Sequence, residues 1–530
     1  MKELSKKIVE ETIAKPVDEE DPLSTNNLNF NGFKLISVAA AQALSEIDEK
    51  YNIDLSDLTD ISDEAAAFLA KFKGGSLNLS GLTCISDNTA KAFAGLAGKN
   101  YHSFNLNGLT SISEAAADSL SKYKGMSNVE LNGLVSLSDS AAIALGKYNG
   151  TDKLQLNGLK CNLSEVVVAS LIKCADIPLY RLTSLTLNTA NAIINSGKLH
   201  RLDLRGLTGI SDDAVGALAK AKFDGRGSIN LNGLTSISDT TAQRIAEFTL
   251  FEILLGGLET LTDASAKALS GFKGGIIELN GLNTISEKTA IGLIEFKGTL
   301  KLNGLKSLPY NVALTLAGFK GAAIQLNGLN KLSNDEAEAL AKTCCDLSLE
   351  GLENFNDSHE HLLLLKKLVK QSIYNFVDVF LVKQSICLHL DKIKELSDKA
   401  AKIIATRKNK ISLQSLTELR DSPEHVLLAK CLAKYGSPSS MPPRLFLNGL
   451  TSLSDKAAEA LAESEIFIIY LNGLTNLSDT LVRVFQKRKC KHLYIKGLTS
   501  LTNKAAAELA SGGSFYLNNK LEKKLNLKKK

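Results

Sequence analysis

The tetrapeptide Leu106-Asn107-Gly108-Leu109 returns unaltered at positions 131, 156, 231, 279, 302, 326, 447 and 471. Near-copies stand between them, among them Leu79-Ser80-Gly81-Leu82, Leu179-Tyr180-Arg181-Leu182, Leu204-Arg205-Gly206-Leu207, Leu349-Glu350-Gly351-Leu352 and Ile495-Lys496-Gly497-Leu498. From residue 79 to residue 349 the steps run between 23 and 27 residues. A period of that length marks a solenoid, in which each unit packs only on its neighbours. It also explains how 530 residues fold together, since one ordinary core stops growing at roughly 250–300 residues.

One unit can be read residue by residue. Leu77 and Leu79 alternate with polar Asn78, the period of a short strand with one face buried. Gly81 lets the backbone turn or approach its neighbour closely. Asn-Gly between apolar residues is a hairpin signal elsewhere, but here a helix start follows instead of a second strand. Ser86 is a good N-cap, and Asp87 places negative charge on the first turn, where the helix dipole favours it. In the preceding unit Ser62 caps, Ala66, Leu69 and Ala70 share a helix face, and Lys73-Gly74-Gly75 is expected to close the helix. Each unit is therefore strand, turn, helix, turn. Stacked strands spaced about 4.8 Å apart make a parallel sheet. Strands being narrower than helices, that sheet should line the concave side of a curved stack of about 20 repeats.

The pattern Leu-x-Leu-Asn-Gly-Leu-Thr-Ser-Ile-Ser-Asp-x-x-Ala-x-x-Leu-Ala resembles the leucine-rich repeat. It is most similar to the cysteine-containing class found in F-box adaptor proteins, with Leu82 where that class has Cys, followed by Ile85, Ser86 and Asp87. It is also similar to repetitive bacterial leucine-rich-repeat proteins, and the likeness spans roughly residues 27–519. Two departures stand out: Ala90 replaces a larger Leu, and Leu82 replaces the stacking Asn of the commoner repeat class. The resemblance implies an α/β leucine-rich-repeat solenoid and a protein that binds other proteins. It leaves open a bacterial effector or a ubiquitin-ligase-type adaptor using the repeats for target recognition.

Five segments are expected. Residues 1–26 form a polar leader, a short helix or disordered, ending in Asp18-Glu19-Glu20-Asp21-Pro22. Residues 27–355 are the regular array, opened by the degenerate Phe30-Asn31-Gly32-Phe33, as terminal repeats often are. In 356–443 the period breaks. That stretch holds a helix capped by Ser358, a duplicated Leu-Val-Lys-Gln-Ser-Ile at 368–373 and 381–386, a helix starting at Ser422-Pro423-Glu424, and the proline-rich loop 436–443. Residues 444–519 are a second array, and 520–530 a lysine-rich tail.

The charge balance excludes one class of partner. Six lysines against one glutamate in the last eleven residues carry the whole formal excess of +5, so the body of the chain is neutral. A nucleic-acid binder should show a basic patch on its folded face, so no nucleic-acid partner is expected. There is neither a run of about 18 apolar residues for a membrane span nor the apolar core of a secretory signal at the N-terminus. The expectation is a cytoplasmic monomer with eight scattered, reduced cysteines.

Chemistry-bearing motifs are missing. No phosphate-binding glycine loop, nucleophile elbow or CxxC pair occurs. His359 and His361 stand two apart on a predicted helix and point away from each other. His389 lies in a predicted strand and reads as a surface residue. The expectation is no catalytic residue, no metal and no cofactor; an enzyme site in the irregular stretch 356–443 is the weaker alternative. The recurrent Ser-Asp pairs read as helix caps.

What varies is the residue between the strand leucines, which faces away from the core. In chain order this column reads Asp54, Asn78, Asn105, Glu130, Gln155, Tyr180, Asp203, Asn230, Leu254, Glu278, Lys301, Gln325, Ser348, His389, Ser412, Phe446, Tyr470, Tyr494 and Tyr516. The last four form an expected aromatic ladder, with Arg444, His492 and Ser514 in the neighbouring column. Aromatic residues concentrate at interface hot spots, although cross-strand aromatic pairs also stabilise a sheet on their own. The predicted partner-binding residues are Phe446, Tyr470, Tyr494, Tyr516, Arg444 and His492.

Overall fold

The computed structural model describes residues 2–14, 26–47, 51–96, 103–124, 128–150, 152–160, 163–197, 199–371, 387–436, 443–464, 466–488, 490–510 and 515–524. The acidic cluster 18–21, the last two residues of the first Leu-Val-Lys-Gln-Ser-Ile copy and all of the second, the proline-rich residues 437–442, Ser514 and the final lysines 528–530 lie outside them. The chain divides into two compact units, Met1–Leu234 with Phe248–Leu250, and Thr235–Glu247 with Phe251–Lys530.

In the first unit seven strands pair in parallel from Asn26–Asn29 and Tyr51–Asp54 through Leu154–Gln155 to Ala175–Asp176. Leu199–Asp203 pairs in parallel with Phe223–Asn230. The second unit carries the parallel strands Glu252–Leu254, Ile276–Glu278, Thr299–Lys301, Ala323–Gln325 and Asp346–Ser348. Leu388–His389 then pairs with Ile411–Ser412, and Arg444–Phe446 with Ile468–Tyr470, His492–Tyr494 and Phe515–Tyr516. The core is the repeat pattern made solid. Leu79 and Leu82 are fully buried from the strand side, Ala65, Ala66 and Leu69 from the helix side.

Three devices, each repeated, weld one repeat to the next. The first is the glycine of the tetrapeptide. A Cβ on Gly133 would lie 1.9 Å from the carbonyl oxygen of Asn107, and one on Gly304 2.0 Å from that of Asn280. Among the described glycines, positive φ occurs at Gly32 and Gly197 only. The tetrapeptide glycine therefore serves close approach between backbones, not a left-handed turn.

The second device is the asparagine. Asn107 Oδ1 accepts the main-chain N–H of Asn132 at 2.8 Å, and Asn132 Oδ1 that of Asn157 at 3.0 Å. In the second unit Asn280, Asn303 and Asn327 do the same for Asn303, Asn327 and Glu350. A stacking asparagine is thus present, two residues before the leucine that occupies the usual cysteine or asparagine site of such repeats.

The third is the Ser-Asp pair, which does more than cap. Ser113 Oγ accepts the N–H of Ala116 at 2.9 Å and donates to Asp87 of the preceding unit at 2.5 Å. Ser164 donates to Asp139 at 2.6 Å and Ser422 to Asp398 at 2.7 Å. Asp63, bound by Ser86, Thr89 and Asn88, has its carboxyl held below the ordinary range by those hydrogen bonds.

Two expectations need correction. The helix Asp63–Leu69 ends on Ala70 in right-handed conformation, before Lys73-Gly74-Gly75. The two glycines instead pass against the carbonyl of Tyr51, 2.6 and 3.1 Å from where their Cβ atoms would be. And Tyr180 does not belong to the outward column. Gln155 pairs with Asp176, because Ile177-Pro178 add two residues between strand and turn. Tyr180 sits in the 3-10 turn Leu179–Arg181, near Arg181 and Arg205.

The leader's first residues fold onto the array. Glu3–Leu4 pairs in parallel with Leu35–Ile36, and the helix Lys6–Ile13 follows; Leu4 and Val9 are fully buried. In the irregular stretch, Ser358 and Ser422 cap the helices His359–Lys370 and Pro423–Tyr435, the second with Pro at its start. After Asp346–Ser348 the side chain of Gln371 takes the place of a strand. Its Oε1 accepts from Leu347 N at 2.6 Å and its Nε2 donates to Leu347 O at 3.0 Å. Buried Arg407 donates to Val369 O at 2.8 Å and to Lys410 O at 3.0 Å. A sheet edge left open here would carry unpaired buried backbone.

Candidate partner-binding site

The parallel register places Phe446 opposite Tyr470, Tyr470 opposite Tyr494 and Tyr494 opposite Tyr516. The rings stack in the same order. Centroids lie 4.7, 4.6 and 4.3 Å apart, with interplanar angles of 8°, 20° and 8°. These separations follow the strand spacing of a sheet. All four rings are partly exposed above fully buried Leu447, Leu471 and Ile495 and nearly buried Leu517. Tyr470 and Tyr494 are covered on both faces by their neighbours, so they offer ring edges and hydroxyls.

Arg444 and His492 occupy one register column on either side of Ile468, which is buried. His492 Nδ1 lies 3.2 Å from the Tyr516 hydroxyl, and its ring meets Phe467 edge-on at 5.2 Å. Desolvation, then the charges of Lys491 and Arg488, hold the His492 pKa below the ordinary value. Desolvation and the adjacent phenols of Tyr516 and Tyr470 push the Tyr494 pKa up. Lys496 Nζ stands 5.6 Å from the Tyr494 ring centre, and the Arg488 guanidinium packs on Phe515 at 4.0 Å. The six expected residues therefore come together on one face, with Phe467 and Lys496 as additions. Phe467 immediately precedes the strand Ile468–Tyr470 and Lys496 lies in the turn after His492–Tyr494, so their places beside the column were the available signal.

Upstream in the second unit, the same column is polar apart from Leu254, and its cationic side chains meet carboxylates. Lys301 Nζ contacts Glu252 at 3.1 Å and Glu278 at 3.5 Å, all three mostly buried. His389, expected at the surface, is half-buried, with Nδ1 3.2 Å from Asp391 Oδ2. The hydrogen bond to Asp391, then Cys387, raises its pKa to about 10. Asp391 also accepts from Ser412 Oγ at 2.5 Å and Gln414 N at 3.0 Å, so this carboxylate fills the asparagine's place in the ladder. His359 is exposed and His361 buried, as their spacing requires. Among the described residues no group of three or more His, Cys, Asp or Glu is placed to hold a metal, and no helix is long and apolar enough to cross a membrane.

No protein-family model matches the chain, and no curated protein sequence matches it. Among solved structures it is similar to a chain in the crystal structure of a TLR13–ssRNA13 complex, at 14% identity over 92% of this chain and 76% of that one, with a TM-score of 0.46. It is also similar to a chain in the crystal structure of the Rad7 and Elc1 complex in yeast, at 15% identity over 64% of this chain and 89% of that one, with a TM-score of 0.34. Likenesses so distant say nothing of function. By its own geometry of parallel strand, close-packed turn and capped helix, the chain folds as an α/β leucine-rich-repeat protein.

Proposed function

We propose that the protein is a non-enzymatic interaction scaffold whose partner, a protein, docks on the strand face of residues 444–516. The observation that supports this most is the row of four stacked, partly exposed aromatic rings. Large rigid side chains of this kind give contact area at little cost in conformational freedom, and Tyr and Arg dominate interface hot spots. A solitary cross-strand pair would be enough to steady a sheet; a ladder running through all four strands of this sheet makes a surface.

The test is capture from native lysate, with bound proteins identified by mass spectrometry. Tyr470→Ala/Tyr494→Ala is expected to lose a specific partner while circular dichroism stays unchanged. Capture of the same proteins by wild type and variant would assign the ladder to sheet stability alone.

A further inference from the structure

The ladder's geometry also restricts what can bind it. Each inner ring has both faces occupied, so neither a base, a sugar nor a quaternary cation can stack on Tyr470 or Tyr494. What the ladder offers is edges, the positive rim of the aromatic quadrupole, and phenolic O–H donors. Both favour an anionic acceptor.

The surrounding charges agree. Segments 443–448, 466–473, 490–497 and 515–518 contain Arg444, Lys491, His492 and Lys496, and no Asp or Glu. The equivalent strand and turn positions upstream carry Glu252, Glu278, Asp346 and Glu350. There the cation of the face, Lys301, is already held by Glu252 and Glu278. Lys496, by contrast, is exposed, with its ammonium over the Tyr494 ring at 5.6 Å from the centroid and no carboxylate paired with it among the described residues. A carboxylate arriving there would meet an unneutralised cation beside phenolic donors.

On the reading that this face binds a protein, we propose that its occupant is an acidic peptide segment of that partner. The segment lies diagonally across the strands, with carboxylates toward Arg444 and Lys496 and apolar side chains along the edges of Phe446, Tyr470 and Tyr494. The patch is short and its cations few, and single-stranded nucleic acid needs free ring faces as well as a basic groove. An acidic peptide needs neither.

The experiment uses the full chain and fluorescein-labelled peptides of alternating Glu and Leu, with a Lys-Leu peptide and an oligothymidylate of equal length as competitors for the assignment. Fluorescence anisotropy at two salt concentrations gives Kd. Wild type is expected to bind the Glu-Leu peptide, more weakly at high salt, and to bind neither of the others. Arg444→Glu/Lys496→Glu should weaken that binding at least tenfold, and the milder Arg444→Gln/Lys496→Gln several-fold. The helix-side control Lys456→Glu/Lys504→Glu, with the same change in net charge, should leave it within twofold.

The proposal is overturned if wild type ignores the Glu-Leu peptide, if the control loses as much as the face variant, or if oligothymidylate binds as tightly. It fails separately from the broader reading. A partner lost with Tyr470→Ala/Tyr494→Ala but kept with Arg444→Glu/Lys496→Glu leaves the docking face standing and removes the acidic peptide.

Discussion

A Cβ atom added to Gly133 would stand 1.9 Å from the carbonyl oxygen of Asn107, one repeat earlier. No side-chain rotation relieves that contact, because the obstacle is backbone. Gly133→Ala should therefore destabilise the first unit by ~1–3 kcal/mol, the range of overpacking at a closely packed site. Gly209→Ala, where nothing lies within 4 Å, should change little. Urea denaturation of the two variants checks the contrast; equal midpoints would mean that the repeats do not touch here.

The asparagine ladder makes a complementary prediction. Asn303→Ala removes the acceptor of Asn327 N at 2.9 Å and leaves that partly buried donor unpaired, a loss of about 1–3 kcal/mol. Asn303→Asp keeps an acceptor, as Asp391 does naturally for Gln414 N at 3.0 Å, and should lose less. Denaturation midpoints in the order wild type, Asp, Ala are expected.

The Gln371 amide stands in for a strand beside Leu347. Gln371→Ala leaves Leu347 N and O unpaired, at about 1–3 kcal/mol, and should speed amide exchange at Leu347. Unchanged exchange at that residue would show that another group covers the edge.

Acidity should act through two buried histidines. Burial lowers the pKa of His361 and His425, and His425 Nε2 lies 3.1 Å from Leu396 O. Glu360 and Glu336 around the first, and Asp398 and Glu418 around the second, offset burial without cancelling it, while Arg420 adds to it. Below about pH 6.5 the unfolded chain binds protons that the folded one refuses, so stability falls as pH falls through that value. His389 has the opposite sign. Its pKa is raised to about 10, so its contribution is complete below pH 6.5 and declines as pH rises toward 10. Protection factors for amide exchange in the helices His359–Lys370 and Pro423–Tyr435 should fall from pH 7.5 to 5.5. In His361→Met/His425→Gln that acid response should flatten, and His389→Gln should flatten the alkaline one.

Much of this was legible in the sequence, and the reasons are local. Period-two alternation puts Leu77 and Leu79 inside and Asn78 out whatever surrounds them, so the outward column and its aromatic end could be listed in advance. Cap residues Ser62 and Ser86 act within four residues of themselves. What stayed hidden depends on neighbours 23 to 26 residues away. Asn107 and Gly133 look like turn formers until the stack brings one repeat's oxygen against the next repeat's glycine. The second use of Ser113, as donor to Asp87, is of the same kind. Tyr180 was misplaced because it follows a leucine as the outward residues do, yet it is the second residue of the turn tetrapeptide, and the residue that pairs with Gln155 is Asp176. Gln371 carried no signal at all, since a single amide replacing a strand has no period.

The claim that most needs measuring is that the partner sits on the strand face of residues 444–516. Photocrosslinking tests it directly, with p-benzoylphenylalanine placed at Tyr470, at Gln325 in the same column upstream, and at Lys456 on the helix side. A crosslinked partner is expected from position 470 and none from 325 or 456. Equal crosslinking from 456, or crosslinking from 325 alone, would contradict it.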